Sequence, residues 1–184
     1  MRRWLLVWLA LGSLAAAQLE LLPSSAVEYT ASDPSGSWSG RAPVAALTFD
    51  LDPENIPAAT LSVTVQAGAF DSGNFIRDAN ARRVVFETGE YPDIRFDLAS
   101  AQTVDNRLAD GETAQVDLSG TLTMHGVTRD VTTTASVSRT GTTFTATGAL
   151  EILLSDYGMK RPSFFGTSVD DAVTVVFDVQ ARRP

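Results

Sequence analysis

The chain has 184 residues, 44% of them hydrophobic and 20% charged, with a formal net charge of −8 and a pI near 4.5. This composition fits one ordinary globular domain, and its negative charge disfavours nucleic acid as a partner. There is no cysteine and a single histidine, His125, which excludes disulfides, thiol nucleophiles and cysteine-bound or two-histidine metal sites within one chain. The acidic residues lack the spacing of a calcium-binding loop, so we expect neither a metal nor another cofactor.

The first 17 residues predict an export signal. Two arginines precede an apolar run from Trp4 to Leu14, and three alanines ending at Ala17 form a cleavage site of the A-x-A type. The run is shorter than the roughly 20 residues that span a bilayer, so we expect cleavage near Ala17 and no stable membrane insertion. Residues 18–184 would then form a single domain of a periplasmic or secreted protein.

Strict alternation of apolar and polar residues dominates the remaining chain. Successive side chains of a β-strand point to opposite sides, so this pattern predicts strands with one buried face. Eight such runs are separated mostly by Gly, Asp or Pro turns: residues 27–30, 47–51, 60–67, 94–98, 116–124, 131–137, 144–154 and 173–179. Eight antiparallel strands without a domain break predict a closed barrel or a sandwich.

Two segments interrupt the alternation. Residues 69–91 begin with the candidate helix caps Asp71, Ser72 and Asn74, and we expect one or two short helices that cover one end of the barrel. Residues 155–167 carry several aromatic residues in a long loop of the kind that often lies over a cavity.

The alternation does not fix whether the interior is filled. A barrel of eight strands either packs its interior with side chains or holds one small ligand. Large and small inward residues can alternate to fill a tapering core, which the periodicity favours, whereas small residues on the later strands leave an apolar channel if their neighbours do not fill it. The inward positions include Phe49, Phe96, Phe144 and Phe177 beside Ala67, Gly120, Ala135, Ala146 and Gly148.

Three segments resemble the YceI-like family of exported lipid-binding proteins. They are residues 76–96, which contain Tyr-Pro-Asp-Ile-Arg-Phe, residues 120–131, which contain Leu-Thr-Met-His-Gly-Val-Thr, and residues 154–159, which read Leu-Ser-Asp-Tyr-Gly-Met. They occur in the family's order and spacing, and the resemblance covers nearly the whole mature chain. The first strand of the family often begins with His-Ser, whereas this chain reads Pro23-Ser24-Ser25-Ala26, so any role of that histidine is absent here.

The resemblance implies an all-β fold, an eight-stranded antiparallel lipocalin-like barrel with one or two short helices between strands. Its elongated apolar pocket would hold a polyisoprenoid or an isoprenoid-quinone-like chain. Burial of a few hundred Å² at about 25 cal/mol per Å² contributes several kcal/mol without polar contacts, so such a site needs no compact motif.

The candidate ligand-binding residues are aromatic and apolar side chains at the irregular segments and on the inward strand faces. They are Phe70, Phe75, Ile76, Phe86, Phe96, Leu122, Met124, Phe144, Leu154, Phe164, Phe165 and Phe177. Arg77, Asp78 and His125 are candidate head-group contacts. For Arg77 and Asp78 the structural alternative is helix capping or pairing with Asp156, and for His125 we favour a hydrogen bond that stabilises its turn, because no Gly-x-Ser-x-Gly motif accompanies it.

These observations favour a non-catalytic carrier for a long isoprenoid lipid. One alternative is a packed β-sandwich that acts as a structural or adhesion module without a ligand. Another is an isoprenoid-modifying enzyme, which would use His125 or a buried carboxyl group that faces the cavity. The sequence leaves the oligomeric state open, with a homodimer among the alternatives.

Overall fold

The computed structural model describes residues 19–164 and 167–184. The predicted signal segment, residues 1–17, and the candidate Phe165 lie outside these ranges. The strands are β1 (Glu20–Leu21), β2 (Ala26–Asp33), β3 (Gly36–Asp50), β4 (Thr60–Gln66), β5 (Asp93–Gln102), β6 (Thr113–Met124), β7 (Val127–Thr140), β8 (Thr143–Leu153), β9 (Ser163–Phe164), β10 (Thr167–Ser168) and β11 (Ala172–Arg182).

Eight of these strands close an antiparallel barrel. The sheet runs in the order β11-β2-β3-β4-β5-β6-β7-β8, and β11 pairs with β8 along its whole length, from Ala172 opposite Leu153 to Arg182 opposite Thr143. The two-residue β1 adds to the same edge of β11 beyond β2, while β9 and β10 form a separate hairpin. The prediction of an eight-stranded all-β barrel is confirmed. The sandwich alternative is wrong, because the sheet has no open edge between β8 and β11.

The segment between β4 and β5 contains the predicted helix. The helix α1 (Phe75–Asn80) continues into a π-helical turn (Ala81–Val85), and short 3₁₀ turns lie at Ile56–Ala58, Ala67–Ala69 and Leu154–Tyr157. The side chain of Asn74 caps α1, since its Oδ1 accepts hydrogen bonds from the amides of Ile76 and Arg77, both at 3.1 Å.

The two ends of the barrel differ. At one end the loops before β4 and before β6 pack over the interior, and Leu108, only 1% exposed, sits in a buried cluster with Leu51, Ile56 and Phe144. Backbone hydrogen bonds from Ile56 N to Asn106 O and from Leu108 N to Pro53 O join the two loops. This end is closed. The segment that contains α1 and the loop after β8 lie at the opposite end.

Candidate functional site

The barrel encloses a cavity of about 1010 Å³. This volume is at the upper end of the range for small-molecule sites. The filled core that the periodicity favoured is therefore wrong. Mid-barrel side chains such as Val63, Phe96 and Val131 point inward yet stay only half-buried, because they line a space instead of meeting across it.

Three inward glycines help to keep this space open. A Cβ atom on Gly40 would lie 2.5 Å from Cε1 of Tyr29, and one on Gly120 would lie 2.7 Å from Cζ of Phe96. A Cβ atom on Gly148, which pairs directly with Phe177, would collide with the ring of that residue. Each aromatic ring thus occupies the place of a missing side chain and lies against the wall of the barrel.

The described lining of the cavity is mostly apolar, and its charged members lie at the open end. They are Asp33 at the β2–β3 turn, Arg77 on α1 and Arg83 in the π-helical turn. Deeper in the barrel, Thr133 contributes a hydroxyl group that already donates to the carbonyl oxygen of Ala149 at 2.7 Å. Burial raises the pKa of the Tyr29 phenol above its ordinary value, and the negative charge of Asp78 adds to this effect. The wall is therefore suited to an apolar chain, with the charged groups confined to the open end.

Arg77 connects α1 to the barrel at this open end. Its Nε donates to Ser72 Oγ at 2.9 Å and its Nη2 to the Ser72 carbonyl oxygen at 3.1 Å, while its guanidinium carbon lies 5.3 Å from the centre of the Trp38 ring on β3. This cation–π contact holds the helix against the β2–β3 hairpin. Arg77 also lies on the cavity lining, as a head-group contact requires.

Asp78 lies away from the cavity lining and is only 5% exposed. Its carboxylate accepts from the amide of Ser72 at 3.2 Å and from Ser72 Oγ at 2.5 Å. These hydrogen bonds fix the loop that leads into α1. Its observed contacts are therefore those of a structural residue, and any contact with a head group stays a prediction.

His125 also points away from the cavity lining. It and Gly126 form the two-residue turn between β6 and β7, with φ values of 52° and 74°, as a type I′ hairpin turn requires. The ring bonds outside its own hairpin: Nδ1 lies 3.1 Å from the carbonyl oxygen of Tyr157, and Nε2 lies 2.8 Å from Oε2 of Glu87. His125 therefore joins this hairpin to the segment after α1 and to the 3₁₀ turn after β8.

Glu87 is the centre of a small polar cluster that sequence reasoning missed. Its Oε1 accepts from Lys160 Nζ at 2.9 Å while its Oε2 meets His125, and we call Glu87, His125 and Lys160 the Glu87 cluster. The hydrogen bonds from Lys160 and His125 hold the pKa of Glu87 below its ordinary value. His125 and Lys160 lie 38 and 73 positions from Glu87 along the sequence, and no local motif signals contacts over such separations.

The structure brings ten of the predicted apolar residues to the cavity. They are Phe70, Phe75, Ile76, Phe86, Phe96, Leu122, Met124, Phe144, Leu154 and Phe177. Phe164 lies in β9, and Phe165 lies outside the described residues. Sequence reasoning missed Tyr29 and Trp38 on the lining, although the alternation of β2 already placed Tyr29 on an inward face.

Two observations concern metals and membranes. Within residues 19–164 and 167–184, no three His, Asp or Glu side chains come together as a metal site. In the same part of the chain, no helix combines the length and the apolar character that crossing a bilayer demands.

A closed eight-stranded antiparallel barrel with a deep apolar cavity defines a lipocalin-like barrel. The chain belongs to the YceI-like family, whose domain model matches residues 23–181. It is 30% identical over 144 residues to Protein YceI of Escherichia coli O157:H7, covering 73% of this chain and 70% of that relative. It is 29% identical over 136 residues to a UPF0312 protein of Pseudomonas putida KT2440, of whose length the match spans 66%, just under two thirds.

Solved structures share the fold. Burkholderia cenocepacia BcnA superposes with a TM-score of 0.72 at 20% identity, over 85% of this chain and 95% of that one. A polyisoprenoid binding domain from Saccharophagus degradans, implicated in plant cell wall breakdown, superposes with a TM-score of 0.71 at 20% identity, over 92% and 99%. At this identity, both similarities establish the barrel architecture alone.

Proposed function

We propose that the protein binds a long isoprenoid lipid non-covalently inside the barrel and carries it through an aqueous compartment. The observation that carries this proposal is the apolar cavity of about 1010 Å³, closed at the Leu108 end and open beside α1. The isoprenoid tail would lie along the wall, and its head group would lie near Arg77 and Arg83 at the open end. The relative from Saccharophagus degradans, described as a polyisoprenoid binding domain, supports the same ligand class.

The energetics fit this role. A polyprenyl chain is nearly insoluble in water, so a carrier has to bury most of its length. At about 25 cal/mol per Å² of buried apolar surface, a wall of this kind supplies several kcal/mol without a polar contact. Selectivity then depends on the length and width of the cavity, and not on a compact set of hydrogen-bonding residues.

We propose binding without catalysis. The enzyme alternative needs His125 or a buried carboxyl group that faces the cavity. His125 is held by Glu87 and Tyr157 away from the lining, and the carboxyl group on the described lining is that of Asp33 at the open end, whose pKa is lowered by hydrogen bonds from Ser35. The export signal that the sequence predicts for residues 1–17 is the basis for the proposed periplasmic or secreted location.

Native mass spectrometry of the protein purified without detergent from its own cells tests the ligand class. A matched pair of variants shows where the ligand binds. Ala146 lies on the cavity lining, so Ala146→Phe places a phenyl group in the cavity. Ala149 is exposed on the outer face of the same strand, so Ala149→Phe adds the same group without entering the cavity.

We expect a stoichiometric adduct with the mass spacing of isoprene units in the wild type and in Ala149→Phe, and its loss in Ala146→Phe. A wild-type protein that stays free of adduct after incubation with polyprenols and isoprenoid quinones overturns the proposed function. An adduct that survives equally in Ala146→Phe argues for binding outside the barrel.

A further inference from the structure

Two large apolar side chains stand in solvent at the open end of the barrel. Phe75 and Ile76, the first two residues of α1, are 80% and 78% exposed. Both also lie on the lining of the cavity, so the apolar surface continues from the outside of the protein into the barrel. Exposed apolar surface that adjoins a binding site marks a place where a partner docks.

The exposed pair stands on a rigid support. Asn74 caps the helix below it, Asp78 anchors the preceding loop through Ser72, and Arg82 Nε donates to the carbonyl oxygen of Gly68 at 2.8 Å. The backbone that carries the pair is therefore fixed before any partner arrives, so docking does not have to order this segment of the chain.

We propose that Phe75 and Ile76 dock the open end of the barrel on the surface of a lipid bilayer, from which the isoprenoid enters the cavity directly. This inference rests on the proposed function, because an isoprenoid chain resides in bilayers and leaves them slowly for water. Direct contact of the rim with the bilayer gives the chain a continuous apolar path into the barrel.

The net charge of the protein favours a partner that adheres through apolar contacts, as a bilayer does, over one that is attracted by charge alone. The chain as a whole carries −8, which gives no long-range attraction to anionic surfaces. Adhesion then depends on the apolar pair, as it does for helices that lie in the membrane interface. At the rim itself, Arg77 and Arg83 outnumber Asp33 on the described lining, and a guanidinium group is well suited to lipid phosphate oxygens.

The test uses a double variant and a matched control. Phe75→Ser combined with Ile76→Ser removes the exposed pair without disturbing a buried contact. Val104→Ser removes another exposed apolar side chain, 97% accessible, from the loop between β5 and β6 at the closed end. For each protein, stopped-flow fluorescence measures transfer of a fluorescent geranylgeranyl probe from phosphatidylcholine vesicles, at several vesicle concentrations. Equilibrium affinity for the same probe is measured from dilute solution, and flotation measures binding to vesicles that lack it.

We expect the wild-type transfer rate to rise in proportion to vesicle concentration, as a collisional mechanism demands. The double variant should transfer about tenfold more slowly, because two apolar side chains no longer enter the bilayer. Val104→Ser should match the wild type in both transfer rate and affinity from solution. Because Phe75 and Ile76 also line the mouth of the cavity, the double variant should lose some affinity from solution, and its transfer rate should fall by a clearly larger factor than its affinity.

Three results overturn the docking inference: a transfer rate in the double variant that falls no more than its affinity from solution, an equal loss in Val104→Ser, or a wild-type rate that does not depend on vesicle concentration. A wild-type dimer that the double variant abolishes, with no flotation of either protein, assigns the pair to a second copy and also overturns it. If the probe fails to bind from solution, the proposed function has failed instead. Flotation of the wild type and not of the double variant then still supports docking.

Discussion

Gly148 shows how one absent side chain shapes the site. It lies opposite Phe177 in the β8–β11 pair, and a Cβ atom there would collide with the Phe177 ring and approach the Thr134 carbonyl oxygen to 3.1 Å. Glycine inside a strand weakens it, because it has more conformational freedom to lose and no side chain to pack. The ring of Phe177 covers the gap, in the manner by which aromatic residues compensate strand glycines.

Gly148→Ala therefore overpacks the wall. We expect the free energy of unfolding to fall by about 1–3 kcal/mol, because the added methyl group pushes the Phe177 ring off the wall and into the cavity. Phe177→Leu in the same background should recover most of the loss, since the two positions are in direct contact and their effects couple. Urea denaturation of the single and double variants measures both effects. Gly89→Ala, with nothing within 4 Å of the added Cβ, serves as the control.

The explanation is contradicted if the stability effects of Gly148→Ala and Phe177→Leu simply add in the double variant.

The sequence placed Gly120 and Gly148 on inward faces correctly, because alternation fixes the side of the sheet to which a residue points. The sequence could not show that the cavity is open, because the orientation of the Phe177 ring depends on which residue of β8 lies opposite it. For the same reason the contacts of Asp78 and His125 with distant residues were not predictable.

At the scale of elements, hydrogen bonds hold the segment that contains α1 over the end of the barrel. Arg82 reaches the carbonyl oxygens of Gly68 and Phe70, and the Glu87 cluster joins the end of this segment to the β6–β7 hairpin and to the loop after β8. Glu87 itself has a φ of 46°, a left-handed conformation that is uncommon outside glycine. The geometry of the open end therefore depends on a polar cluster of residues remote in sequence.

The Glu87 cluster predicts a specific dependence of stability on pH. Hydrogen bonds from Lys160 and His125 keep the pKa of Glu87 below its ordinary value in the folded state. A carboxylate with a depressed pKa stabilises the fold above its unfolded pKa, and this contribution is lost as the pH falls through the folded pKa. We expect the wild type to melt at a higher temperature than Glu87→Gln at pH 7, and the difference to shrink once the pH falls below the ordinary glutamate pKa of about 4.3 and to be lost below the depressed folded pKa.

Thermal unfolding followed by circular dichroism across this pH range makes the measurement. Glu151→Gln is the matched control, because Glu151 is exposed on β8 and outside the cluster. It should follow the wild type at every pH. A difference between wild type and Glu87→Gln that stays constant from pH 7 to pH 3 shows that the effect is not due to the charge of Glu87.

The sequence predicted the elements well where one local rule governs them. The capping side chain of Asn74 marked the start of α1, and alternation found all eight barrel strands. It missed most of β3, which extends back from the predicted start at Leu47 to Gly36. A register shift between Val44 and Ala46, relative to β4, interrupts the alternation there. A β-bulge of this kind moves the following side chains to the opposite face, so no single period describes the strand.

At the scale of the molecule, the barrel separates stability from binding. The closed end is a buried cluster in which Phe144 packs beside Leu51 and Ile56, with the guanidinium carbons of Arg139 and Arg183 each 5.9 Å from its ring centre. The middle of the barrel has inward side chains, such as Phe177, that remain half-buried along the cavity. Close packing at one end thus supports an open apolar wall along the rest.

Truncating one phenylalanine in each region tests this separation. Phe144, which is 4% exposed, is surrounded by packed atoms, so Phe144→Ala should lower the free energy of unfolding by about 3–5 kcal/mol through lost burial and the void left behind. Phe177 already borders open space, so Phe177→Ala creates no new enclosed void and should cost about 1–2 kcal/mol.

Urea denaturation with and without the geranylgeranyl probe distinguishes the two effects. Binding to the folded state alone stabilises a protein in proportion to the logarithm of the ligand concentration over Kd. Phe144→Ala should keep most of this ligand-dependent stabilisation despite its lower baseline, since Phe144 borders the cavity only at its closed end and exposes only 4% of its surface. Phe177→Ala should lose less baseline stability than Phe144→Ala but more of the ligand-dependent stabilisation, because it removes apolar surface from the cavity wall. Equal baseline losses in the two variants contradict the separation, since the closed end and the wall would then contribute alike to folding.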